Sequence, residues 1–305
     1  MVSRMSHEVA TSAAVPFAAS SRVANATGLG PLRHVEVTGS TNADLVAEAR
    51  EGFCGPAVLV ADHQSAGRGR LGREWDDDRG DALLVSIRVP AELDGVGGVV
   101  AAVGAAARFA ADQLTTSTVL TKWPNDLVVE DGAAPGKLGG VLAEYVAEAH
   151  ESVPNECVAN ESVPNECVPN ESVPNESVPN ESVPNECVIV GVGINVRAIE
   201  RQPGATSMAE CGMEQSGSLA DRDLLLSGLL SALAPRLADP VAVLEEMRAN
   251  SATLGARVRV ELPGNRFVTG EAVGLSDEGH LLLRCDDATH RTITAGDVIR
   301  LRPAT

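Results

Sequence analysis

The chain has 305 residues, with 42 acidic and 24 basic side chains and a formal net charge of −18. This length can bury a core for one main domain and a smaller one. The acidic balance argues against nucleic-acid binding, which relies on a basic footprint. No stretch approaches the ~20 apolar residues of a membrane span. Neither nucleic acid nor a membrane is therefore a predicted partner.

Residues 1–31 show no sustained hydrophobic periodicity, so we predict a disordered leader there. A basic residue, a mildly apolar run over residues 9–19 and an Ala-Asn-Ala triplet imitate a signal peptide. Pro16 interrupts that run, which is mostly Ala and Ser rather than Leu. We therefore do not predict secretion.

From residue 32 onward, strand and helix patterns alternate. Thr41 and Asp44 stand at capping-box spacing before a helix that closes at Gly52. A polar loop rich in Gly and Arg covers residues 63–80. Predicted strands cover residues 32–37, 56–61, 82–89, 119–122, 127–130, 137–146 and 187–196. Predicted helices cover residues 96–114, 221–237 and 240–250.

Between the last two of these strands, residues 152–186 repeat the pentapeptide [SC]-V-[PA]-N-E seven times. A period of five matches neither a helix nor a strand, and a proline in nearly every unit prevents long hydrogen-bonded ladders. Five residues also contain too little apolar surface to stack as a solenoid. We therefore predict a disordered acidic insertion that extends a hairpin turn.

After residue 251 the pattern changes to short alternating strands separated by turn signals such as Pro263-Gly264. This pattern predicts a small β-barrel over residues 251–305, which is too small to be very stable alone and is expected to dock on the main domain. Residues 32–250 form that main domain, apart from the repeat. The predicted fold class is α+β, with a mixed β-sheet and flanking helices.

Cysteine and histidine usage argues against a metal centre in the protein. The six cysteines have no CxxC spacing, and two of them, Cys157 and Cys167, fall inside the repeat. The six histidines form neither an HxxxH nor an HExxH pattern. We therefore predict no metal site and no disulfide framework, and the free thiols favour a cytoplasmic location.

Only two of the 24 basic residues are lysines, Lys122 and Lys137. Lys122 begins a Lys-Trp-Pro-Asn-Asp segment, and Lys137 lies in a Gly-Lys-Leu-Gly-Gly segment. Lys and Arg are not interchangeable where a compact ammonium must meet a phosphate or carboxylate. Taken alone, Lys122 could also be a surface charge at the end of a strand. Lys137 does not belong to a P-loop, because the required earlier Gly and following Ser/Thr are missing.

Two glycine-rich segments could also approach a ligand. In residues 67–73 the arginines Arg68, Arg70 and Arg73 alternate with residues that let the backbone bend around an anion. The segment matches G-x-G-x-x-G, but no helix pattern follows its last glycine, so it is not a Rossmann fingerprint. Gly191 and Gly193 lie near the end of a buried apolar strand, where they would allow a ligand to come close.

In their order and spacing, these segments resemble the biotin protein ligase family, whose members attach biotin to the carrier domains of carboxylases. The resemblance covers residues 32–303 without the repeat, and Ser40-Thr-Asn42 matches the family's first signature. It implies the fold shared by biotin and lipoate ligases and by class II synthetases, with an SH3-like C-terminal barrel. The first thirty residues carry no helix-turn-helix pattern, so the resemblance is to the monofunctional type, without a repressor function.

The resemblance also implies residue roles. Lys122, Arg68 and Arg70 would be catalytic. Biotin contacts would fall on Ser40, Thr41, Asn42, Gln64, Arg68, Gly69, Arg70 and Lys122. Nucleotide contacts would fall on Arg70, Arg73, Asn125, Asp126, Lys137 and Asn195. Residues 203–208 lack the aromatic side chain that some members place near the adenine.

The implied reaction has two steps. Biotin and ATP form biotinyl-5′-adenylate and pyrophosphate, with Mg²⁺ expected beside ATP, and a lysine of a biotin carboxyl carrier protein then takes the biotinyl group. A homodimer is compatible with the sequence. Two alternatives stay open. One is a lipoate or octanoate ligase, whose different arginine signature is not visible here. The other is a non-catalytic biotin sensor, against which both lysines and the three loop arginines argue.

Overall fold

The fold is taken from a computed structural model, which describes residues 15–75, 80–91, 95–130, 136–147, 186–197, 204–213 and 218–300 except 263, 265 and 295. The predicted repeat insertion lies outside these residues apart from Glu186, and so do the first 14 residues. No helix in this described part of the chain is long and apolar enough to cross a lipid bilayer.

A mixed seven-stranded sheet forms the centre of the main domain, in the order β1-β2-β3-β7-β6-β5-β4. Only β1 and β2 run parallel, and every other neighbouring pair is antiparallel. The strands are β1 (Leu32–Thr38), β2 (Ala57–Gln64), β3 (Ala82–Pro90), β4 (Val119–Lys122), β5 (Asp126–Val129), β6 (Gly136–Val146) and β7 (Cys187–Asn195). The predicted mixed sheet with flanking helices is confirmed.

The described part of the chain contains five α-helices, which are α1 (Ala18–Ala26), α2 (Thr41–Arg50), α3 (Gly95–Asp112), α4 (Ser218–Leu237) and α5 (Pro240–Ala249). Helix α2 packs on one face through a small cluster that includes Leu45, Leu59 and Ile189. Helices α1, α3 and α4 share the larger cluster on the main core. Alanine side chains on α3 are short enough for its backbone to approach the sheet and α4 closely.

The prediction of a disordered leader is wrong for the segment around α1. Phe17 is 1% exposed, and α1 packs against α4. The Asp223 carboxylate on α4 accepts hydrogen bonds from the backbone N–H groups of Ala19 and Ser20, at 3.1 and 2.8 Å. These partners come from more than 200 residues away. A nine-residue helix is too short to be stable alone, so its sequence carried little local signal.

The N-cap of α2 also differs from the expected one. Ser40, not Thr41, is the N-cap, and its side chain accepts a hydrogen bond from the Ala43 N–H. Asp44 does not complete a capping box, because its carboxylate accepts a 2.5 Å hydrogen bond from Thr38. Thr41 is therefore free to take part in contacts outside the helix cap.

The C-terminal unit is a five-stranded antiparallel sheet in the order β11-β10-β9-β8-β12, consistent with the predicted SH3-like barrel. Its strands are β8 (Arg257–Leu262), β9 (Arg266–Leu275), β10 (Leu281–Cys285), β11 (His290–Ile293) and β12 (Asp297–Arg300). Its core holds Val258, Leu281 and Leu283, all fully buried, together with Trp123 from the main domain.

The cysteines in the described part of the chain, Cys54, Cys187, Cys211 and Cys285, are all free and buried. Burial, with a smaller contribution from the neighbouring Cys54 thiol, raises the pKa of Cys187 to about 12. This thiol therefore stays protonated and packs as a small apolar group.

One partly buried carboxylate joins three helices. Glu246 on α5 accepts a 3.0 Å hydrogen bond from Arg108 on α3 and two 2.9 Å hydrogen bonds from Arg236 on α4. Burial alone would raise the pKa of Glu246, but these two guanidinium groups more than offset it, so the pKa lies below its usual value. The cluster helps to hold α5, which leads directly into the C-terminal barrel.

We expect Glu246→Gln to lower the free energy of unfolding by about 2 kcal/mol at neutral pH, because two arginines lose a charged partner. A carboxylate with a lowered folded-state pKa contributes fully above its unfolded-state pKa of about 4.3 and loses that contribution as pH falls through the folded value. The difference in the free energy of unfolding between variant and wild type should therefore become smaller below about pH 4. Urea titrations at several pH values measure it. Glu245→Gln is the matched control, since Glu245 is 67% exposed, and an equal effect there would contradict the assignment.

Candidate active site

A cavity of about 340 Å³ lies between the sheet, the N-terminus of α2, the loop over residues 67–75 and the C-terminal barrel. Every site residue expected from the sequence lines it. These residues are Ser40, Thr41, Asn42, Gln64, Arg68, Gly69, Arg70, Arg73, Lys122, Asn125, Asp126, Lys137 and Asn195. Residues more than 150 positions apart are thus brought to one place.

One end of the cavity is polar and uncharged. Gln64, the last residue of β2, accepts hydrogen bonds through Oε1 from the Thr41 N–H at 2.7 Å and contacts the Thr41 hydroxyl at 3.0 Å. The Thr41 hydroxyl also lies 2.7 Å from the hydroxyl of Ser86, a fully buried residue of β3. The start of α2 is thus tied to two strands of the sheet, which fixes the direction of these polar groups.

Asn42 lines the same end, but its polar atoms are engaged by the protein. Its side-chain amide nitrogen donates to the Leu142 carbonyl and to Glu144 Oε1, both at 3.2 Å. Its Oδ1 accepts a 2.6 Å hydrogen bond from Ser86. A Cβ on Gly191 would come within 2.5 Å of that oxygen, which explains why glycine occupies this position on β7.

The arginine loop folds as a narrow hairpin. The Gly69 N–H donates to the Arg73 carbonyl at 2.7 Å, and the Trp75 N–H donates to the Gly67 carbonyl at 3.0 Å. A short 3₁₀ turn, Arg70–Gly72, forms its tip. Arg68 and Arg73 are exposed at the mouth of the cavity.

Arg70 reaches across the cavity from this hairpin. Its Nη1 donates to Asn125 Oδ1 at 3.1 Å and lies 3.5 Å from the Gly296 carbonyl of the barrel. Asn125 in turn donates to the Val141 carbonyl at 2.7 Å. The loop, the β4–β5 turn and the barrel therefore meet at one guanidinium group.

Lys122 is the last residue of β4 and stands next to an anchored tryptophan. The Trp123 N–H donates to Thr253 Oγ1 at 3.0 Å, and its indole N–H donates to the Gly279 carbonyl at 3.1 Å. The Trp123–Pro124 peptide bond is cis. Within the described part of the chain, the Lys122 ammonium takes no ion pair or hydrogen bond, so it is available to a ligand.

Lys137 has partners on both sides. Its Nζ lies 2.8 Å from Asp126 Oδ1 and 5.9 Å from the centre of the Trp75 ring. Asn195 donates through its amide to the carbonyl of Thr206 at 3.0 Å and to that of Lys137 at 3.4 Å. Asn195 thereby holds the segment at residues 204–206 along the start of β6, where two backbone hydrogen bonds also join Lys137 to this segment.

Three residues at the site had no role assigned from the sequence. Ser86 is the one hydroxyl in an otherwise apolar stretch of β3, and this contrast was the available signal. Trp75 is one of only two tryptophans, and its ring lies against Gly193, where a Cβ would come within 2.7 Å. Its indole nitrogen is buried without a hydrogen-bond partner among the described residues. Glu261 comes from the barrel, whose docking position no local pattern encodes.

Two family models match the chain. The model of the biotin/lipoate A/B protein ligase family matches residues 36–153, and the model of the biotin protein ligase C terminal domain matches residues 253–301. The match to the first model starts on β1, and the match to the second covers the barrel. The two models thus cover both units that line the cavity.

A biotin–[acetyl-CoA-carboxylase] ligase of Mycobacterium tuberculosis is 34% identical over 284 residues, which is 88% of each chain. A bifunctional ligase/repressor of Bacillus spizizenii is 25% identical and is matched over 64% of its length. Among solved structures, the Aquifex aeolicus biotin protein ligase in complex with biotin and ATP shares the fold, at a TM-score of 0.63 and 22% identity, over 88% of this chain and 99% of that one. The chain belongs to the biotin protein ligase family.

We expect Gly193→Ala to displace the Trp75 ring, because the added Cβ would lie 2.7 Å from ring atoms. Displacement exposes the indole, so tryptophan fluorescence should become more accessible to acrylamide, and the buried Trp123 should contribute little to that change. Gly274→Ala, where the nearest atom is 3.7 Å away, is the control. Unchanged quenching in Gly193→Ala would show that the strand yields instead of the ring.

Proposed function

We propose that this chain is an ATP-dependent biotin protein ligase, which forms biotinyl-5′-adenylate and then transfers biotin to a lysine of a biotin carboxyl carrier protein. The observation that carries the proposal is the cavity itself. It joins a neutral polar end to an end with two lysines and three arginines. Biotin has the matching shape, since a neutral ureido ring stands at one end of the molecule and a carboxylate at the other.

Biotin would lie with its ureido ring at Thr41 and Gln64 and its carboxylate toward Lys122. Leu84, Val85 and Val192 line the floor between the two ends, where an apolar ring and chain would lie. Ser40 and Gly69 would contribute further polar contacts to the bound acid. Asn42 would act through Ser86 and Thr41, because its own amide hydrogens already have protein acceptors.

ATP would occupy the other end. Arg70 and Arg73 would contact its phosphates, and Lys137 would approach them from β6, with Asn195 holding the backbone around it. The Trp75 ring is a candidate platform for the adenine, which would supply the aromatic contact that residues 203–208 lack.

We assign the electrostatic stabilisation of the first step to Lys122. The carboxylate of biotin must approach the α-phosphate, and at ~4 Å and an effective dielectric near 20 each pair of like charges costs about 4 kcal/mol. An ammonium between the two groups would attract both and so offset their repulsion, and it would stabilise the negative charge that develops on the transition state. Arg68 and Arg73, exposed on the hairpin, would then cover the adenylate and exclude water from the reactive anhydride.

Mg²⁺ is expected beside the triphosphate. No cluster of three or more metal-ligating side chains occurs in the described part of the chain. This fits an ion held mainly by phosphate oxygens, since Mg²⁺ commonly takes only one or two protein carboxylates in nucleotide sites. Asp126 is the carboxylate that would hold it, although Lys137 already contacts Oδ1. The bound ion would neutralise phosphate charge.

The carrier lysine would reach the anhydride from the mouth of the cavity, beside the hairpin and the barrel. We place the reaction in the cytoplasm, where carrier proteins and ATP are found. The Mycobacterium tuberculosis relative is named as a ligase alone, which supports a ligase without a repressor role. A homodimer remains compatible with the proposal, and it would be tested by sedimentation.

Mass spectrometry of the small molecules formed from ATP and biotin tests the proposal directly. We expect biotinyl-adenylate in the presence of the protein, and biotinylated carrier when a carrier protein is added. Competition with lipoate and octanoate distinguishes biotin from the acids used by ligases of the same fold. Biotin binding without adenylate would favour a sensor, and adenylate from octanoate alone would overturn the choice of substrate.

Lys122→Met should abolish biotin-dependent exchange of pyrophosphate into ATP, with a loss of about three decades, since about 4 kcal/mol of charge stabilisation is removed. Biotin and ATP should still bind, because the remaining contacts stay in place. Lys137→Met is the matched variant, and we expect it to raise the KM for ATP more than it lowers kcat. Near wild-type exchange in Lys122→Met would remove this residue from the mechanism.

A further inference from the structure

The polar end of the cavity contains an unbroken row of oxygen atoms that ends at a carboxylate. From Gln64 Oε1 the row passes to the Thr41 hydroxyl at 3.0 Å, then to the Ser86 hydroxyl at 2.7 Å and to Asn42 Oδ1 at 2.6 Å. The amide nitrogen of Asn42 then donates to Glu144 at 3.2 Å. Ser86 is 0% exposed and does not line the cavity, so water does not complete its hydrogen bonds.

This row has more contacts than protons. Four oxygen atoms make three contacts, but only the two hydroxyl groups carry a hydrogen. One contact must therefore lie between two oxygens with no proton between them. Which one it is depends on the orientation of the two amides at the ends of the row.

The orientation of both amides is set by their other partners. Asn42 must turn its NH₂ toward Glu144 and the Leu142 carbonyl, because both are acceptors only. Its Oδ1 therefore faces Ser86, which must donate to it. Gln64 must turn its oxygen toward Thr41, because the Thr41 N–H donates to it at 2.7 Å. The Thr41 hydroxyl then has one proton and two possible acceptors, Ser86 Oγ at 2.7 Å and Gln64 Oε1 at 3.0 Å. Because the shorter distance is the one typical of an O–H···O hydrogen bond, Thr41 donates to Ser86, and the contact between Thr41 Oγ1 and Gln64 Oε1 is left without a proton.

We propose that Ser86 and Glu144 are positioning residues that set the hydrogen-bond polarity of the biotin site. They hold Thr41 Oγ1 and Gln64 Oε1 as two adjacent acceptors facing the cavity. A ring N–H of the ligand placed between these oxygens satisfies both and relieves their repulsion. A ligand with an oxygen at that position adds a third acceptor and is rejected.

This inference rests on the proposed function, since it names the chemical feature of biotin that the site reads. It also gives a physical reason for excluding lipoate and octanoate, which carry no N–H group. Neither Ser86 nor Glu144 needs to touch the ligand. Ser86 acts by donating a hydrogen bond to Asn42 and accepting one from Thr41, and Glu144 acts by fixing the amide of Asn42.

The test compares biotin with two analogues in which one or the other ureido N–H is replaced by oxygen. Dissociation constants for all three are measured by calorimetry with wild type, Ser86→Ala and Glu144→Gln. Wild type should bind biotin at least about ten-fold more tightly than one of the two analogues. The analogue leaves two buried acceptors without a hydrogen-bond donor, which costs binding free energy. Without Ser86, the Thr41 hydroxyl can turn and donate to the ligand, so the preference should fall toward unity. Glu144→Gln lets the Asn42 amide turn over, so it should also reduce the preference for biotin over the analogues.

Ser20→Ala is the matched control, since Ser20 is equally buried and hydrogen-bonded to a carboxylate on the far side of the fold. It should leave the preference for biotin over the analogues unchanged.

An equal loss of affinity for all three ligands in Ser86→Ala and Glu144→Gln would show a purely structural role and overturn the inference. So would a wild type that does not distinguish biotin from either analogue. If wild type binds no biotin, the proposed function itself fails. Should Ser86→Ala not fold, the partly exposed Glu144→Gln carries the test alone.

Discussion

The arrangement of the active site depends on the insertion of Trp123 into the core of the C-terminal barrel. Trp123 lies between Lys122 and the Asn125–Asp126 pair in the chain, yet it is 93% buried among barrel residues. Its backbone N–H donates to Thr253, and its indole N–H donates to the Gly279 carbonyl. A turn pinned in this way cannot move without moving the barrel. The two units therefore act as one support for the lysine, which explains how the barrel contributes to the cavity.

The charge of the whole chain gives no indication of the charge of its site. The protein carries a formal net charge of −18, but five basic side chains face three carboxylates around the cavity. Local fields depend on the nearest charges, because those beyond about 8–10 Å are largely screened at ordinary ionic strength. The acidic surface elsewhere is compatible with binding biotin and ATP, both anions. Lys122 and Arg70 belong to this basic group, and both approach the centre of the cavity from elements that the barrel supports.

Most of the main sheet could be predicted from the sequence, because apolar runs such as those of β3 and β7 were bounded by clear turn signals. The residues that line the cavity could also be named, since Lys122, the arginine loop and Ser40–Asn42 carry strong local patterns. What could not be predicted depends on distant partners. Helix α1 needs Asp223, the Arg70 contact needs Gly296, and the role of Ser86 appears only when β3 passes beneath the start of α2. The two members of each of these pairs are too far apart in the sequence to be recognised from a local pattern.

The two ends of the cavity differ in how they are supported, and this difference suits the two demands of the reaction. The ureido end is built from α2 and neighbouring strands, with each polar atom of Asn42 and Ser86 satisfied inside the protein. Such a site is rigid before the ligand arrives, so little ordering free energy is lost on binding. The end that we propose for the nucleotide is built from a hairpin, a turn and the barrel, and Arg68 and Arg73 are exposed there. Under the proposed function, biotin recognition is thus set in advance, while the groups proposed to enclose the adenylate can open for the carrier lysine.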